Sequence, residues 1–213
     1  MAEQPLISVR GEAVREVPPE LAVISATVSA RGRNRQDTLE RLTERAAELR
    51  TALDDYPEAI ERRETAGVQV YPEVKRAGGV SAYTGRVTTT VTVTDFAVLG
   101  ELLLRLGNQE QTAVAGPWWQ LRPGSTAGAE VRRAAIADAL RRAGEYAEAV
   151  GARVDRLVEI IDEGAEGAHP MAVRAAAFAG GPEMDLALVI DPQQQTVRAG
   201  VIVRVTITDP TAL

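Results

Sequence analysis

Ala82-Tyr83-Thr84-Gly85-Arg86-Val87-Thr88-Thr89-Thr90-Val91-Thr92-Val93-Thr94 is the stretch that decides the fold class. Successive side chains of an extended strand point to opposite faces. Val87, Thr89, Val91 and Val93 therefore share one face, and Thr88, Thr90, Thr92 and Thr94 the other. One face suits a core and the other is a threonine ladder facing water. Half-polar strands of this kind belong to antiparallel sheets, which leave one side wet, whereas parallel sheets are covered on both.

The flanking sequence extends the pattern. Upstream, Gly67–Tyr71 reads as a strand stopped by Pro72, with Gly78-Gly79 marking the intervening loop. Leu6–Val17 alternates loosely as far as Pro18-Pro19. Leu21–Arg31 then sets Ala22, Ile24, Ala26, Val28 and Ala30 against Leu21, Val23, Ser25, Thr27 and Ser29, and the two segments are expected to form a hairpin. Between these strands, Leu39, Leu42, Ala46, Leu49 and Leu53 recur at helical spacing, ending near Asp54-Asp55-Tyr56-Pro57.

Downstream, Asp95 is placed to cap a short helix carrying Phe96, Leu99, Leu102, Leu103 and Leu106, closed by Gly107-Asn108. A strand through Thr112–Arg122 precedes the longest helix, about Ala127–Val150. Its expected buried stripe is Ile136, Leu140, Ala143, Ala147 and Val150, with Asp138 and Arg142 paired at i,i+4 on the outer side. Ala134, Ala135 and Ala139 leave little bulk, so close packing on a sheet is expected. Val154–Asp162, Leu186–Ile190 and Val197–Thr208 complete the strands. The expectation is an α+β fold, a mostly antiparallel sheet of about eight strands with about three helices packed on it. A single domain over residues 4–210 is expected, with two subdomains dividing near 110–125 as the finer expectation.

Composition narrows the chemistry. The chain has 213 residues, 45% of them hydrophobic and 25% charged, as in an ordinary globular protein. Its net charge of −6 opposes nucleic-acid binding, which needs a basic footprint. No cysteine is present, which excludes disulfides, thiolate nucleophiles and Cys-ligated metals, and the sole histidine is His169. Lys75 is the only lysine beside 23 arginines, a bias we read as that of a GC-rich coding sequence. No stretch approaches the roughly 18–20 apolar residues of a membrane span, so membrane insertion is not expected. Met1-Ala2-Glu3-Gln4-Pro5 leads straight into a strand with neither a basic nor an apolar leader region. A cytoplasmic location is expected for the chain as it stands, and export if it is the mature form of a longer precursor.

Candidate sites are few. His169 precedes Pro170 in Gly164-Ala165-Glu166-Gly167-Ala168, near Glu163 and Glu166, where it is either solvated or a lone general base or metal ligand. Gly180-Gly181-Pro182 and Gly78-Gly79 fit no phosphate-binding motif and read as turns. Asp54-Asp55 and Asp162-Glu163 fall at element ends and carry no sign of the desolvation that general acid–base work requires. Trp118-Trp119 is the informative pair: in a strand the two indoles face opposite ways, so one enters the core and the other meets a covering element, a ligand or a second subunit. Trp118 and Trp119 are therefore the candidate interface. No catalytic, cofactor-binding or metal-ligating residue is assigned, and no cofactor is expected.

Five motifs in order resemble the SIMPL-domain family, whose bacterial members include periplasmic immunogenic proteins and oxidative-stress defence factors. They are Ile7-Ser8-Val9-Arg10-Gly11-Glu12-Ala13, Pro19-Glu20-Leu21-Ala22, and Ala82-Tyr83-Thr84-Gly85 entering the Val/Thr strand. The others are Ala134-Ala135-Ile136-Ala137-Asp138-Ala139 continuing to Ala149-Val150-Gly151, and the terminal valine-rich strand entered from Pro192. Ala13, Glu20 and Ala82 depart from the glycine, aspartate and glycine usual there. The resemblance spans nearly the whole chain. It implies a bacterial protein with no assigned catalytic residues, a role related to stress or the envelope, and assembly into oligomers. The expected function is thus a noncatalytic, homo-oligomeric interaction or scaffold protein with an unidentified protein partner. The alternative is a small-molecule-binding protein or weak hydrolase using the loop around His169.

Overall fold

A computed structural model of the protein describes residues 4–76, 78–164 and 188–212. The elements run β1 (Leu6–Val17), β2 (Leu21–Gly32), α1 (Arg35–Asp54), β3 (Ile60–Val74), β4 (Val80–Val93), α2 (Leu99–Gly107), β5 (Thr112–Gln120), α3 (Thr126–Ala149), β6 (Val154–Asp162) and β7 (Gln195–Ile207). The fold is α+β, and every strand pairing is antiparallel. Among the described residues there are seven strands rather than about eight. Leu188–Ile190 forms no strand; Ile190 instead packs into a core, and the Leu188 carbonyl lies against Gly100 of α2, where a Cβ would overlap it.

The expected β1–β2 hairpin does not form. β1 pairs with β7 in a three-stranded sheet ordered β1-β7-β6, while β2 lies in a four-stranded sheet ordered β3-β4-β2-β5. Pro18-Pro19 between them cannot close a ladder, since neither residue donates a backbone hydrogen, and the chain divides there into two compact units. The first is built from β1, α3, β6 and β7, and the second from β2 to β5 with α1 and α2.

In the second unit, the inward face of β2 is the one the alternation marks: Ala22, Ile24, Ala26 and Val28 are fully buried and Ala30 nearly so. Val91 and Val93 of β4 join them beneath Leu42, Leu49 and Leu53 of α1 and Leu99, Leu102 and Leu106 of α2. The threonine face of β4 is not the open ladder expected: Thr92 is buried and Thr88 and Thr90 are half-buried, and Thr88 shares a hydrogen bond with Thr27 across the ladder at 3.0 Å. β3 is longer than its sequence suggests, running through Glu61-Arg62-Arg63-Glu64 and through Pro72. It is the edge of its sheet, where a missing donor is tolerated and where charged residues and bulges are common. Leu39 is exposed and Thr38 takes the inward position instead, because Gly32 approaches so closely that a Cβ there would lie 2.6 Å from the Thr38 hydroxyl. Asp95 does not cap α2. Its carboxylate accepts from Ala97 N at 2.9 Å, closing an Asx turn, and the helix begins at Leu99.

In the first unit, α3 lies on β1 and β7. Its buried stripe is Val131, Ala135, Ala139, Ala143 and Ala147; of the residues expected, Ala143 and Ala147 are buried, Ile136 and Val150 only partly so, and Leu140 is exposed. The reason is Gly11. A Cβ at that position would lie 2.7 Å from Ala139 Cβ and overlap the Ala135 carbonyl, so the face of α3 that meets β1 must carry alanine. Gly11→Ala is expected to destabilise the protein by about 1–3 kcal/mol, the usual cost of overpacking, read as a lower urea midpoint. An unchanged midpoint would refute this packing account.

Candidate functional site

The tryptophan pair lies on β5, with Trp119 opposite Ala22 and Trp118 opposite Val23 of β2. Trp119 points toward the core of the second unit and meets Phe96 edge-on, the ring centroids 4.9 Å apart. Trp118, on the opposite face of the sheet, is half-buried. His169 and Gly180-Gly181-Pro182 lie outside the described residues. Among the described residues, no group of three His, Cys, Asp or Glu side chains could hold a metal ion.

The paired acids are occupied, three in ion pairs and one in a backbone hydrogen bond. Asp54 accepts from Arg63 at 2.6 Å, Asp55 pairs with Arg105, Glu163 accepts from Arg10 at 2.6 Å, and Asp162 accepts from Gly164 N at 2.9 Å. A polar cluster joins the turn after α1 to α2: the Tyr56 hydroxyl donates to Glu101 at 2.7 Å while the Arg105 guanidinium lies 5.6 Å from the Tyr56 ring centre. Burial first, then the hydrogen bond to Glu101, raises the Tyr56 phenol above its ordinary value. A phenol harder to ionise serves as a donor, so this cluster is a tie between helices.

Two carboxylates hold strands in place. Glu73 receives a two-pronged contact from Arg31 at 2.7–3.0 Å and a bond from the Thr84 hydroxyl at 2.6 Å, which hold it down to about 2. Asp138 does not pair with Arg142. Arg141 binds it at 2.5 Å and, together with the Glu12 N–H that donates to it at 3.2 Å, holds its carboxyl below the ordinary range. Arg142 in turn donates to the Arg10 carbonyl at 2.6 Å. Arg10 and Glu12 are two apart on β1 and so direct their backbone groups the same way. The middle of the outer edge of β1, the edge not paired with β7, thereby has two of its backbone groups capped by side chains of α3. Beside this clamp lies an open groove of about 490 Å³, walled by Ile7, Val9, Tyr146, Val150 and Ile207 with Arg10 and Arg142 at its rim.

The other edge of the same sheet has no such cover among the described residues. All nine residues of β6 are exposed, including Val154, Leu157, Val158, Ile160 and Ile161 at 38–50%. Its pairing with Ile207, Val205 and Val203 puts Val154, Leu157 and Ile160 on the helix side of the sheet. α3, lying on β1 and β7, leaves that part of the helix side open. Register shifts make Asp155 and Val158 the extra residues of two bulges, and Asp155 accepts from the Thr206 hydroxyl at 3.2 Å while Glu159 pairs with Arg204 at 3.0 Å. Sequence reading placed this strand but drew nothing from it. The signal was the doublets Leu157-Val158 and Ile160-Ile161, which no strand with one wet face requires.

Glu73 gives the second unit a pH signature. Its folded value lies below the ordinary 4.5, so its contribution to stability is present above about pH 4.5 and is lost as pH falls toward about 2. Glu73→Gln should remove that contribution at neutral pH, lowering stability there slightly as expected for an exposed pair, and so flatten that part of the acid-denaturation curve. An acid limb identical to wild type would refute the assignment. For the tryptophans, Trp119→Ala is expected to cost about 3 kcal/mol of folding stability by thermal melting, with Trp118→Ala costing clearly less.

Among the described residues no helix is long and apolar enough to cross a membrane. No curated protein matches the chain. The family model for SIMPL, a protein of unknown function (DUF541), matches residues 7–205. With that match spanning nearly the whole length, and with the antiparallel α+β fold on which it is laid out, the chain belongs to the SIMPL family.

Proposed function

We propose that the protein is a noncatalytic interaction or scaffold protein that works as a homo-oligomer, in a role related to stress or the envelope. The observation that carries this reading is the apolar exposure concentrated on edge strands: Val68, Tyr71 and Val74 on β3, and all five large apolar side chains of β6. Exposed apolar sheet edges are templates for pairing unless something covers them. The state of the carboxylates supports the noncatalytic part. Those with shifted values among the described residues, Asp37, Glu73 and Asp138, are all held down by arginines, whereas a general acid at neutral pH needs its value raised. Trp118, half-buried on the sheet face away from the core, is a further contact in this reading.

Sedimentation velocity on the purified chain at micromolar concentration tests it. A defined oligomer is expected, and Trp118→Ala should shift the distribution toward smaller species without lowering the melting temperature as Trp119→Ala does. A strictly monomeric wild type would overturn the reading.

A further inference from the structure

We infer that β6 is a self-pairing edge. A second copy of this chain joins it antiparallel, across a two-fold axis beside Leu157, and turns the sheet β1-β7-β6 into a continuous six-stranded one. The inference rests on the oligomeric reading above and names the surface and the partner.

Three observations point to it. The first is asymmetry. At the middle of the β1 edge of this sheet Asp138 takes the Glu12 N–H and Arg142 donates to the Arg10 carbonyl, while β6, at the opposite edge, has no described neighbour beyond β7. The second is the helix-side stripe. With Leu157 opposite itself, Val154 of each copy meets Ile160 of the partner subunit, so all three exposed apolar residues of that face are matched. A shift of three residues in either direction leaves an end of the stripe unmatched. The third is charge. Arg153 and Arg156 lie toward the start of the strand, Glu159 and Asp162 toward its end. Antiparallel pairing runs the basic half of each copy alongside the acidic half of the other, and parallel pairing would stack like on like. Asp155, which this register brings level with Glu159 of the partner subunit, is turned onto the Thr206 hydroxyl.

The absence of cysteine from the chain makes the test clean. Residues directly opposite in an antiparallel ladder are within disulfide reach. Leu157→Cys in the full chain, under mild oxidation, is expected to give a disulfide-linked dimer on a non-reducing gel, and Val68→Cys on the β3 edge to give much less. Arg156→Glu should weaken association at least tenfold by sedimentation, and adding Glu159→Arg to it should restore it, with each variant first shown by melting to be folded. An oligomer that survives with no cross-link at Leu157→Cys and no response to Arg156→Glu overturns the β6 assignment and leaves the oligomeric reading standing. A wild type that is monomeric at every concentration overturns both.

Discussion

A single helix cannot cover three strands. An α-helix with its side chains is about 10 Å across, and three strands spaced about 4.8 Å apart present a face of roughly 14 Å. In the first unit that shortfall decides which surfaces are sealed. α3 is drawn over β1 and β7 because Gly11 permits close approach there, and every step toward β1 is a step away from β6. The buried alanine stripe, the clamp of Asp138 and Arg142 on the far edge of β1, and the exposure of β6 are three consequences of one placement.

The second unit meets the same constraint with two helices over four strands. There the leucines of α1 and α2 converge on the valines and alanines of β2 and β4, and the helices are tied to each other through Tyr56, Glu101 and Arg105. Its exposed edge strand, β3, carries the other device: charge and bulges. Glu61 to Glu64 and three register shifts interrupt it, and its one outward proline costs no hydrogen bond. β6 has two bulges and only four charged residues within nine, too few to mask five large apolar side chains.

What could be read from the sequence follows from what periodicity encodes. Alternation reports which side of a strand is inward, and the buried alanines and Ile24 of β2 lie where it put them. It does not report the neighbour. The β1–β2 hairpin was inferred from adjacency in the chain, and only the sheet order shows that Pro18-Pro19 separates two sheets. Hydrophobic size is likewise a poor guide wherever backbones come close. Leu140 looks like part of the buried stripe of α3, yet the close approach of Gly11 selects Ala135 and Ala139 for the innermost positions and leaves Ile136 only partly buried, a long-range fact that no helical window contains.

The candidate sites show the same limit from the other side. A tryptophan pair draws attention by residue type, and its geometry is as a strand dictates, one indole inward against Phe96 and one outward. A valine, leucine and isoleucine strand attracts none, because such residues are ordinarily the sign of a core. Whether Leu157 and Ile160 are core or surface depends on whether α3 reaches them, and that was settled 146 residues earlier in the chain, by a glycine on another strand. The exposure of β6 is therefore a by-product of packing, specified by Gly11 as much as by the residues that form the strand.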